Sequence, residues 1–126
     1  MKLFGRFFGR KSDSGQTRES FWRDLEEVKM LEELEAVSFE REVYVFKHST
    51  RCYISRMVLA RFEQEVEESH ATETNAYYYL DLLAHREISE ALAERYDLVH
   101  QSPQLLVLRN GVLVHSASHQ SITMKK

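Results

Sequence analysis

The sequence predicts an α/β protein: a mixed four-stranded sheet with helices on both faces and one additional helix ahead of it. Three observations carry this. Val43 to Phe46, "VYVF", is an unbroken run of β-branched and aromatic residues, the pattern of a strand buried on both faces. Stretches with apolar residues three or four apart stand before and after it, as helices with one buried stripe require. "QLLVLRNGVLVHS" places two apolar runs around Asn110-Gly111, the pair favoured in a tight type I′ hairpin turn.

Taken in order, residues 1 to 19 read as a tail and linker, and residues 20 to 126 as the domain. In "MKLFGRFFGRK", Leu3, Phe4, Phe7 and Phe8 interleave with Lys2, Arg6, Arg10 and Lys11. Weak contact with an anionic membrane is one reading. A frayed terminus is the heavier one, because Gly5 and Gly9 weaken a helix. "SDSGQTRES" follows as a polar linker. From Ser20 to Ala36 the residues Phe21, Leu25, Val28, Leu31 and Leu34 mark a helix, with Ser20 as its N-cap.

The "VYVF" strand comes next, then Ser49 and Thr50, both good caps. Ile54, Val58, Phe62 and Val66 step by four, so a helix starts near Cys52 and runs to about Ser69. "AYYYLDL" is the second strand. "HREISEALAERY" is a helix presenting Ile88, Leu92 and Tyr96 on one face. A strand–helix–strand order demands parallel pairing with a right-handed crossover, and the final hairpin adds antiparallel strands.

Composition narrows the function classes. The chain has 126 residues, 43% hydrophobic and 29% charged, enough for one domain with a core. A net charge of −3 argues against a nucleic-acid partner, which would call for a strong basic face. No apolar run approaches the roughly 18 to 20 residues of a membrane span, and no secretory signal is visible. A cytoplasmic location with a reduced thiol is the expectation. His48, His85, His100, His115 and His119 are too scattered for metal-ligand spacing, so no metal is expected.

One cysteine stands in the chain, at the junction of a strand and a helix. A lone cysteine is more often a small buried hydrophobe than a nucleophile. The junction shifts that balance, because a helix N-terminus offers unpaired N–H groups and a dipole that favour a thiolate. Arg51 is adjacent, and Lys47 and His48 lie at the strand's exit, where positive charge would act in the same direction. Ser55 follows one helical turn on, where a C-x-x-C motif would carry its second thiol. Its hydroxyl is expected to donate to the sulfur, and the C-x-x-S pattern leaves a nucleophile with no internal resolver.

The blocks "FKHSTRCYIS", "AYYYLDL", "REISEALAERYDLVHQSPQLLVLRNG" and "SASHQSIT" together resemble the YtxJ-type monothiol bacilliredoxins over about residues 21 to 123. The family's K-H-S-T-x-C-x-I-S block falls on Lys47, His48, Ser49, Thr50, Cys52, Ile54 and Ser55. Its H-x-S-P-Q block falls on His100, Ser102, Pro103 and Gln104. The resemblance implies a thioredoxin-like fold in which a cis-proline, here Pro103, lies opposite the reactive cysteine. It also implies removal of bacillithiol, a low-molecular-weight thiol, from proteins that carry it as a mixed disulfide. Cys52 and Ser55 would then be catalytic. Lys47, Arg51, Tyr53, Ser102 and Pro103 would contact the substrate, with Lys47 and Arg51 meeting its carboxylates. Bacillithiol is a co-substrate and no resident cofactor is implied; the partners are bacillithiolated client proteins, and free bacillithiol or a reductase. Tyr53 departs from the family, where proline is frequent, and Arg51 stands where a smaller polar residue is expected. Two other readings stay open: a glutaredoxin-like carrier of an iron–sulfur cluster, and a redox-inert interaction module.

Overall fold

The computed structural model describes residues 21–124. Ser20 and the basic, aromatic segment at residues 1–11 lie outside them. Five strands form one sheet: β1 (Trp22–Asp24), β2 (Val43–His48), β3 (Ala76–Asp81), β4 (Gln104–Arg109) and β5 (Val112–Ser118). Their order across the sheet is β1-β3-β2-β4-β5. β1, β3 and β2 run parallel, while β4 is antiparallel to β2 and β5 to β4. The helices are α1 (Met30–Val37), α2 (Tyr53–Glu68) and α3 (Arg86–Arg95).

The expected four-stranded sheet therefore gains a strand, and the long first helix shrinks. Residues 22 to 24 pair with Tyr77, Tyr78 and Tyr79. Trp22 lies among the rings of Phe46, Phe62, Tyr77 and Tyr79, with centroids about 6 Å away, and its Nε1 donates to Glu63. Burial of this aromatic face outweighs the helical spacing, which was carried in part by a coincidence of position. Val28 is exposed, whereas Leu31 and Leu34 of the real helix are buried. A three-residue strand is too short to display a period of two.

β2 is central and buried along its whole length. Its alternate side chains feed two cores. Val43 and Val45 join Leu31 and Leu34 of α1 and Ile88 and Leu92 of α3 on one face. Tyr44 and Phe46 join Val58, Phe62 and Val66 of α2 on the other. On α2 the stripe begins at buried Ser55, while Ile54 and Met57 stay exposed.

The hairpin turns at Asn110 and Gly111, with φ of 53° and 80°. Both values suit a type I′ turn. Ser38 clamps it: its carbonyl accepts Asn110 N–H and its hydroxyl accepts Gly111 N–H, each at 2.8 Å. A Cβ on Gly111 would stand 2.8 Å from the Phe39 ring. Gly111→Ala is thus expected to lose about 1–2 kcal/mol, from the left-handed backbone and the displaced ring. Chemical denaturation checks this; a midpoint equal to that of the wild type would show that the turn absorbs the methyl group.

Candidate functional site

β2, β3 and β4 bring three loops to one edge of the sheet. Parallel β2 and β3 end there, and antiparallel β4 begins there. β2 runs out at His48, and residues 49 to 51 lead into α2. Cys52 is the N-cap of that helix, in extended conformation, and its Sγ accepts the backbone N–H of Ser55 at 3.4 Å. The cap position follows from the sequence: Ser49, Thr50 and Cys52 end the strand-forming run just where the apolar stripe of α2 starts. The sulfur is partly exposed and sits at the positive end of a sixteen-residue helix. A nucleophile placed there can be reached from solvent, and its negative form is met by a backbone donor.

Ser55 takes a different part from the one its position suggests. It is fully buried. Its Oγ lies 2.8 Å from His48 Nδ1 and accepts the Ser49 N–H at 3.1 Å. The hydroxyl is turned inward, and the contact with the sulfur comes from the Ser55 backbone instead. His48 is buried as well, beside the rings of Phe46 and Tyr79.

Lys47 is likewise absent from the surface. Its side chain is wholly buried on the opposite face of β2 from His48. Nζ donates to Gln104 Oε1 at 3.1 Å and meets His100 Nδ1 at 3.3 Å. Desolvation holds the amine down to about 8. Lys47 cannot therefore meet a ligand's carboxylate, and the expectation of a surface cation there is corrected. A central strand continuing through "VYVFKH" buries both of its last residues. Gln104 is the hub of the neighbouring loop: its Oε1 also accepts Gln101 N–H, and its Nε2 donates to the Val99 carbonyl. The 99–104 segment is thus tied to β2 from below.

The Ser102–Pro103 peptide bond in that segment is cis. Pro103 is buried directly before β4, and its carbonyl accepts the His119 N–H at 3.0 Å. Ser102 is partly exposed at the same edge. Arg51 is exposed, and Tyr53 is 64% exposed with the Arg56 guanidinium 5.8 Å above its ring. Tyr53, Ile54 and Met57 form an apolar collar on the first turns of α2, next to the thiol.

His100 belongs to the Lys47 cluster. The residue is largely exposed, yet its Nδ1 edge faces inward, toward Lys47 and the Ser89 hydroxyl at 3.1 Å. Burial of that edge lowers its pKa, and the charges of Lys47 and Arg86 act in the same direction. Beside it a groove of about 460 Å³ is lined by Leu82, Arg86, Ser89, Glu90 and His100, among others. The groove starts at the edge that carries Cys52, since Leu82 N–H donates to the His48 carbonyl and Arg86 opens α3. His119 is exposed. Among the described residues, no three His, Cys, Asp or Glu side chains gather into a metal site, and no helix is long and apolar enough to cross a membrane.

The likeness to known proteins agrees with this arrangement. A protein described as a candidate oxidoreductase with a thioredoxin fold superposes with a TM-score of 0.70 at 26% identity, over 82% of this chain and 87% of its own. Thioredoxin from Malassezia sympodialis gives 0.64 at 15% identity, over 81% of each chain. Fasciola hepatica thioredoxin gives 0.61 at 20%, over 77% of this chain and 86% of its own. The fold is that of thioredoxin, and the chemistry is that of a thiol–disulfide oxidoreductase with one thiol. The model of the monothiol bacilliredoxin BrxC family matches residues 23–126, and the chain belongs to that family.

Proposed function

We propose that the protein removes bacillithiol from client proteins that carry it as a mixed disulfide, by way of Cys52. What supports this is membership of the monothiol bacilliredoxin family together with one observation: a single partly exposed thiol on a helix N-terminus, with buried Ser55 in the place of a resolving cysteine. The Cys52 thiolate attacks the bacillithiol sulfur. A new S–S bond forms, the client–bacillithiol S–S bond breaks, and the client sulfur leaves as a thiolate and takes up a proton. A second thiolate, from free bacillithiol or a reductase, then attacks the bacillithiol sulfur on Cys52 and releases the enzyme thiolate. With no second cysteine in the chain, this last step is intermolecular.

The collar of Tyr53, Ile54 and Met57 beside the thiol, and the groove along α3, offer surface for the client. Ser102 would align the incoming disulfide through its backbone, and exposed Arg51, next to Cys52, is a cation that could meet a ligand carboxylate in place of buried Lys47. The test compares one client protein bearing bacillithiol, glutathione or coenzyme A on the same cysteine, with intact mass followed over time. Transfer to Cys52 fastest from the bacillithiol form is expected. Equal rates for all three would remove the specificity, and no adduct on Cys52 would remove the reading.

A further inference from the structure

We propose that His48 is a positioning residue for the Cys52 thiolate, acting through the Ser55 side chain. Ser55 Oγ accepts the Ser49 N–H, so its own proton needs another acceptor, and His48 Nδ1 stands 2.8 Å away. In the tautomer proposed, the imidazole offers its lone pair at Nδ1 and carries its proton on Nε2, so that it accepts the Ser55 hydroxyl proton. In this arrangement the ring is an acceptor and supplies no positive charge to the thiol.

The consequence reaches the sulfur through the hydrogen bonds of the loop that holds it. Ser49 precedes the site loop, and Ser55 sits in the first turn of α2. The hydroxyl joins the two across the loop that holds Cys52, and the Cys52 N–H donates to the Ser49 carbonyl at 3.1 Å. The loop is closed at both ends by Ser49, and its far side is anchored by His48. With Ser55 so fixed, its backbone N–H is aimed at Cys52 Sγ. A hydrogen bond to an ionised acceptor is worth more than one to a neutral group, so a small loss of alignment falls mainly on the thiolate. The serine of the C-x-x-S pattern thus serves the thiol by way of its backbone, and the histidine makes that possible.

This inference rests on Cys52 being the reacting group, but not on the identity of the thiol it exchanges. The test accordingly uses a small alkylating agent and no bacillithiol. Rates of Cys52 alkylation are measured from mildly acidic to strongly alkaline pH in the wild type, His48→Phe, His48→Asn, Ser55→Ala and the double variant His48→Phe/Ser55→Ala. His48→Phe keeps a ring in the buried space but cannot accept. His48→Asn returns an oxygen near the position of Nδ1.

At neutral pH, His48→Phe and Ser55→Ala are each expected to react roughly fivefold more slowly, the equivalent of one net hydrogen bond. At strongly alkaline pH, where every form is a thiolate, they should match the wild type. His48→Asn should recover most of the neutral rate, and the double variant should be no slower than either single one. A purely structural role would slow the reaction at all pH values and would not be rescued by Asn. Unchanged rates in His48→Phe, slowing that persists in alkali, or a double variant showing the product of the two effects would each overturn the proposal.

Discussion

Cys52→Ser is expected to lose thiol exchange altogether, by at least roughly a thousandfold, while keeping its fold. The two halves of this expectation have separate causes. A serine hydroxyl is a poor nucleophile toward sulfur and forms no mixed disulfide. No other cysteine exists in the chain to take over. The fold is spared because position 52 is the N-cap of α2, where its side chain accepts the Ser55 N–H. Serine is among the preferred residues for that task. The variant should therefore unfold at nearly the wild-type denaturant midpoint. Mass spectrometry of the variant with a bacillithiolated client should show the client unchanged and the variant unmodified. Exchange by Cys52→Ser above the uncatalysed background would mean that the client is freed by a route other than Cys52.

How much of this was visible in the sequence depends on the range of the interaction that fixes each part. The thiol's place at the start of α2 was legible because caps and apolar stripes are local: Ser49 and Thr50, then Val58, Phe62 and Val66, set the boundary within a few residues. Asn110-Gly111 announced its hairpin for the same reason. β1 was missed because a three-residue strand owes its existence to partners 55 residues away, through Trp22 and Tyr77. The directions of Lys47, His48 and Ser55 were missed for a related reason. In sequence each is a polar group near a thiol, whereas alternation along a fully buried central strand decides where the first two point. Lys47 faces α3 with Val43 and Val45. His48 faces α2, where it meets Ser55. The C-x-x-S pattern drew attention to Cys52 and Ser55, and only the packed structure shows which of their atoms lie against each other.

The same burial makes the stability of the protein depend on pH through Lys47. An exposed lysine titrates near 10.5, and this one is held down to about 8 by desolvation. Below pH 8 the amine is charged in both states, and the folded state bears the cost of a buried cation. Above about 10.5 it is neutral in both, and that cost is gone. Between these values the unfolded chain binds more protons than the folded one, so stability rises with pH, in total by on the order of 3 kcal/mol. A counter-effect enters from about pH 10. Burial raises Tyr44, Tyr77, Tyr78 and Tyr96, with Tyr78 pushed up to about 12. In the unfolded chain these phenols ionise first, and stability falls again. Wild-type stability is thus expected to climb from pH 8 to about 10 and then decline. Lys47→Met should remove the climb and leave the decline. The substitution conserves length and apolar volume, and it strands neither partner. Gln104 Oε1 still accepts the Gln101 N–H, and His100 Nδ1 still faces Ser89. At neutral pH the variant should accordingly be at least as stable as the wild type, since a buried charge is exchanged for an apolar side chain. Denaturant titrations of both proteins at intervals from pH 7 to 11 measure this directly. Parallel curves between pH 8 and 10 would show that the ammonium is solvated or compensated in place, and that the buried lysine contributes nothing to the pH dependence of the fold.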